Sequence, residues 1–255
     1  MPDQAVRQDG QKFRYFWEVR EFCLLLVRDR SYPLWQRLFL LGMFCKRLGE
    51  VVGAQQFGLV PKLLHDYAEV TASGKLRGDM DEIPLQASAQ VKMLLEVAFG
   101  YLQQHQKGLC RIQEHVQDFL QGIGYQPGVQ LESCTRNYVE AYTHYYSPLM
   151  TENPHLLENY LINHIFRVVF PFGPVPAEVF ERPQREWVQL CLEFAVIKGL
   201  LIGIAGRFGE AFGSEQVVGV VQALSKSIEH DAEIGRMINW QGLSDAGCIA
   251  ALLKN

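Results

Sequence analysis

Asn159, Asn163 and Arg167 recur at steps of four, so on a helix two amides and a guanidinium share one face. Leu161, Ile165, Val168 and Phe172 supply an apolar stripe beside it. Exposed helix faces are usually built from Lys and Glu. A face of Asn, Asn and Arg flanked by aromatics is expected to hold its polar groups in fixed, partly buried geometry. That makes the segment 158–173 the first candidate for a site.

Other chemistry-bearing residues form no standard pattern. There is no H-E-x-x-H, no phosphate-binding glycine loop and no G-x-S-x-G, so zinc-protease, P-loop and nucleophile-elbow chemistries are excluded. Seven histidines occur, none paired with another at metal-ligand spacing on one short helix face. The six cysteines lie about twenty or more positions apart, so no disulfide framework and no local zinc or iron–sulfur signature is present. Tyr138, Tyr142 and Tyr145 fall at i, i+4 and i+7. That stripe reads as core, with a pocket for a methyl group or an aliphatic amine as the alternative. Lys198 sits in a very apolar helix. It either extends its amine to solvent or, if buried, needs a carboxylate such as Glu158, Glu193 or Glu229. Gly199, Gly203 and Gly206 lie at helical spacing and predict close helix packing.

The elements that must position these residues are helical. Periodicity predicts helices over 13–30, 34–52, 58–71, 85–106, 109–122, 132–147, 154–170, 184–212, 215–230 and 245–253, with Ser214 as an N-cap. Residues 72–84, with two glycines and an acidic patch, read as the clearest loop. No stretch alternates long enough to make a sheet. The expectation is an all-α fold of about nine to ten helices, a single domain over 1–255 with a possible subdomain break at 72–84.

The 255 residues are 48% hydrophobic with a net charge of −4. A core of useful size is assured, and the absence of a basic excess argues against a general nucleic-acid binder. The polar N-terminus has no signal-peptide core, and the apolar runs are broken by charge before about 20 residues. A cytoplasmic protein without a membrane-spanning helix is expected, its scattered cysteines reduced.

Several segments together resemble the C-terminal region of the flagellin lysine N-methylase family. They are Glu158–Arg167 with Phe170-Pro171-Phe172-Gly173, Ala195–Ala205, Val221–His230 and, upstream, Leu26–Leu38. Their order and spacing extend the resemblance over about residues 15 to 240. It implies methyl transfer from S-adenosylmethionine to lysine side chains of flagellin, without the usual glycine-rich methyltransferase fold. It also implies an iron–sulfur cluster held by a cysteine-rich segment N-terminal to this region, whose ligands this sequence lacks. The chain is thus expected to be a truncated or incomplete form, or one completed by a neighbouring polypeptide.

Under the resemblance, Asn159, Asn163 and Arg167 would bind the donor's carboxylate and amino groups. The acceptor lysine must be a neutral amine, so Glu158, Tyr142 and Glu229 are the candidates for handling its proton. No residue is assigned to a metal. The alternative reading is a non-catalytic helical module that binds flagellin or another protein, with the same polar residues bridging helices.

Overall fold

The computed structural model describes residues 14–104, 111–173, 182–230 and 246–254, without side-chain detail at 104, 182, 226–230 and 246–248. The chain is all-α, with no strand among the described residues. Its helices are α1 (Phe16–Arg28), α2 (Leu34–Gly53), α3 (Val60–Ser73), α4 (Leu76–Asp81), α5 (Ala87–Gln104), α6 (Arg111–Gly122), α7 (Leu131–Ala141), α8 (Ser147–Glu152), α9 (His155–Arg167), α10 (Arg182–Phe208), α11 (Ser214–His230) and α12 (Ala246–Leu253). They form two compact units, residues 1–84 with 158–191, and 85–157 with 192–255. The chain passes between the units at Pro84 and within α9 and α10.

Unit 1 is built on α2, whose Leu38, Leu40, Leu41, Phe44, Cys45 and Leu48 are fully buried. A helix apolar on most sides must lie at the centre of its unit, and α1 and α3 both pack on α2. Gly42 creates the seat for the indole of Trp187 from α10. A Cβ there would stand 2.2 Å from the ring. The indole is itself fully buried and donates Nε1–H to Leu38 O at 2.8 Å. Gly74, at φ +66°, ends α3 in the left-handed conformation that favours glycine. The expected loop at 72–84 contains α4 instead. Its one buried side chain, Met80, gives this short turn an apolar anchor that outweighs the helix-weakening Gly78.

In unit 2, α5 packs on α6 and α7, while α11 packs on α6. The predicted glycine packing is found at the crossing of α6 and α10. A Cβ on Gly122 would lie 1.7 Å from Gly203 O, and one on Gly203 would lie 2.3 Å from the Phe119 ring. Gly199 gives way likewise to Leu94. The helix predicted over 132–147 is interrupted by a π-helical turn, Tyr142–Tyr146. The wider turn changes which tyrosines share the core. Tyr138 and Tyr146 are buried, Tyr142 stacks on Tyr146, and Tyr145 is half-exposed. At the start of α11 the side chain of Gln216 accepts the Gly213 N–H at 2.9 Å, a cap the sequence reading assigned to Ser214.

α10 runs on as Pro183–Ala211, long and apolar enough to cross a membrane by length and composition, but 94% of its most apolar window is buried inside the protein. The expectation that no such helix exists is therefore corrected in composition. Other helices of the fold cover this one.

Candidate functional site

α9 carries the candidate face, and unit 1 holds that helix by two arginine clamps. The first is at its start. Arg37, from α2, donates Nη1–H to Glu158 Oε1 at 2.7 Å, and also bonds Tyr32 O and Val27 O. Arg30, from the α1–α2 connection, donates Nη2–H to Oε2 at 2.7 Å and Nε–H to Oε1 at 3.0 Å. Arg37 and Glu158 are both buried, whereas the Arg30 side chain is 58% exposed. The second clamp is Arg20 of α1. It donates to Phe170 O at 2.9 Å and Ile165 O at 3.5 Å, tying α1 to the last turn of α9 and to the chain that leaves it. Its guanidinium lies over the rings of Phe16 and Phe166.

This geometry redefines Glu158. Burial by itself raises its carboxyl, but the hydrogen bonds and charges of Arg30 and Arg37 outweigh that and hold it below the ordinary carboxylate value. Both oxygens are engaged. A carboxylate so stabilised in its charged form is a poor proton acceptor, and its place is that of an anchor.

Asn159, Asn163 and Arg167 do share one face of α9, but all three are exposed. The expected partly buried geometry is not found. The buried residues of this helix are Leu157, Glu158, Tyr160, Leu161, His164 and Ile165, so the polar stripe is the side turned away from the core. Arg167 Nη2 comes within 3.5 Å of His164 Nδ1, linking the stripe to a buried imidazole that packs beside Tyr160. Phe166, also exposed, extends the face with a ring. An exposed array of two amides, a guanidinium and an aromatic ring offers hydrogen bonding and anion recognition.

The other candidates are placed differently. Tyr142 belongs to unit 2, half-exposed on its π-helical turn. The side chain of Glu229, in α11, lies outside the described residues. Lys198 is buried, and its partner among the described residues is the carbonyl of Leu253 at 2.6 Å, not a carboxylate. The sequence reading missed Arg20, Arg30 and Arg37. Arg30 and Arg37 lie within the upstream resembling segment, but only the fold brings them to a residue more than 120 positions away.

Among the described residues no group of three or more His, Cys, Asp and Glu is placed to hold a metal ion. Cys23, Cys45 and Cys191 are buried in unit 1. Burial pushes all three thiols up, and their proximity adds to the effect at Cys45. The described cysteines are not gathered into the converging ligand set that an iron–sulfur cluster requires.

A family model described as the FliB lysine N-methylase C-terminal domain matches residues 20–241, which take in both arginine clamps, the α9 face and the glycine crossing of α6 with α10. No curated protein and no solved structure matches the chain. With that match spanning most of its length, the chain belongs to the FliB lysine N-methylase C-terminal domain family.

Proposed function

We propose that this chain provides the helical part of a lysine N-methylase that transfers methyl groups from S-adenosylmethionine to lysine side chains of flagellin. The observation that carries this reading is the family match over residues 20–241. The exposure of the α9 face adds to it, because a ligand can reach Asn159, Asn163 and Arg167 from solvent. In this reading Arg167 pairs with the donor's carboxylate and the two amides bind its amino group. The lysine nitrogen attacks the donor's methyl carbon as the sulfur–carbon bond breaks, and the departing ammonium proton needs an acceptor. Glu158 is committed to its arginines and is not that acceptor.

Labelled-methyl incorporation into purified flagellin tests the proposal. Arg167→Ala and Asn163→Ala alter exposed groups, so they are expected to lower incorporation at least tenfold while leaving the thermal transition in place. Unchanged incorporation in both variants defeats the donor-site assignment.

One observation favours a second reading, a non-catalytic module that binds flagellin. The most buried carboxylate of the segment, Glu158, is engaged structurally and offers no free base. Binding of flagellin by this chain, with no heat on titration of S-adenosylmethionine and no methyl incorporation, selects the module.

A further inference from the structure

The last helix, α12, is fastened at its C-terminal end by side chains from two other helices of unit 2. Lys198 Nζ, on α10, donates to Leu253 O at 2.6 Å. Gln90 Nε2, on α5, donates to Ala251 O at 2.8 Å and Lys254 O at 2.6 Å. These carbonyls lie where a helix runs out of internal donors. The Tyr138 hydroxyl donates to Gln90 Oε1 at 3.4 Å, which turns the amide's NH2 towards α12. The helix has only eight residues, too few to persist in water by itself. Its Ile249 to Leu253 are buried, so it stays formed by staying docked.

Among the described residues Lys198 reaches this carbonyl without a counter-ion. No carboxylate among the described residues lies at ion-pair or hydrogen-bond distance from Nζ. Among the described residues the buried or half-buried titratable groups on the surrounding elements include Glu193 and Cys191 on its own helix, Tyr138 and Cys134 on α7, Tyr101 on α5 and Lys254 beyond α12. Lys92 and Glu96 of α5 are exposed. Burial alone accounts for the lowering of the Lys198 ammonium to about 7.

We propose that α12 is a detachable latch gated by Lys198: it remains docked while the amine is neutral, and its release returns the amine to water, where it takes up a proton. The free amine titrates near 10.4, so between about pH 7 and 10 each opening binds one proton and the open population falls roughly tenfold per pH unit as pH rises. Below about pH 7 the amine is protonated in both states and the dependence ends.

Hydrogen exchange of the α12 amides in the intact chain, corrected for the intrinsic rate, tests this. Opening is expected to fall about 100-fold between pH 7 and 9. Lys198→Met is expected to abolish the slope. Gln90→Leu removes two donors but not the amine, so it is expected to raise opening at every pH and keep the slope. A flat profile in the parent chain, or a slope that survives Lys198→Met, overturns the proposal. So does an equal slope throughout α10, which would mean global unfolding rather than release of a latch. Unchanged opening in Gln90→Leu refutes the two-donor fastening.

Discussion

Glu158 shows how position in a network decides what a carboxylate does. Its sequence neighbours are two amides and a histidine, a setting that invites a role in proton transfer. In the fold it neutralises the guanidinium of Arg37, which is as buried as the carboxylate. Removing one member of such a pair leaves the other charged and buried, a loss of about 3–5 kcal/mol. Glu158→Gln keeps the shape and removes the charge, so it is expected to destabilise the chain by about that amount in urea unfolding. A loss under about 0.5 kcal/mol, typical of a surface site, would show that Arg37 is held by Tyr32 O and Val27 O alone. Asn159→Ala is the contrasting case. Its side chain is exposed, so stability should stay within about 0.5 kcal/mol and any lost methyl transfer would reflect binding.

Among the elements, the glycines separate packing from propensity. Alanine in a helix interior is favoured over glycine by about 1 kcal/mol. At Gly219 of α11 an added Cβ would meet the His115 ring at 3.6 Å, ordinary contact, so Gly219→Ala is expected to stabilise by up to about 1 kcal/mol. At Gly122 the obstacle is the backbone oxygen of Gly203 at 1.7 Å, which cannot rotate away. Separating α6 from α10 there should cost more than the propensity gain, at least about 1–3 kcal/mol net. Thermal unfolding by circular dichroism should therefore move the two Tm values in opposite directions, and movement in the same direction would contradict the close crossing. The Gly199–Gly203 spacing was legible because glycine at helical intervals has few other uses. α4 was not, because a six-residue helix carrying a glycine and two aspartates has a loop's composition and is held by one buried methionine. The π-helical turn was equally silent, since one extra residue per turn leaves the tyrosine content unchanged while exchanging Tyr145 for Tyr146 in the core. The α9 stripe was legible as a face, but the side on which it lies depends on Arg20, Arg30 and Arg37, whose partners are remote in sequence.

For the whole molecule, buried titratable groups impose a pH profile whose limbs have different owners. Glu158 has a depressed folded value, so its contribution is complete above the ordinary carboxylate value of about 4.3 and is lost as pH falls further. Lys198 is also depressed, to about 7. From there to about 10.4 the unfolded chain binds a proton that the folded chain does not, so stability rises with pH by up to about 1.4 kcal/mol per unit. The buried thiols oppose it. Cys23, Cys45, Cys134 and Cys191 are raised when folded. Above about 8.5 the unfolded chain releases four protons from these thiols that the folded chain keeps, a slope of up to about −5 kcal/mol per unit against +1.4 from the single lysine. The thiols win, and stability should pass through a maximum near pH 8 to 9. Urea midpoints measured under reducing conditions from pH 6 to 10 locate it. Lys198→Met should flatten the rise between 7 and 8.5 and leave the alkaline fall. Because the α12 latch should tighten across the range in which the whole chain weakens, exchange at α12 and global unfolding are expected to diverge above pH 8.5. A stability curve that keeps climbing to pH 10 would mean that the thiols do not stay protonated in the folded core.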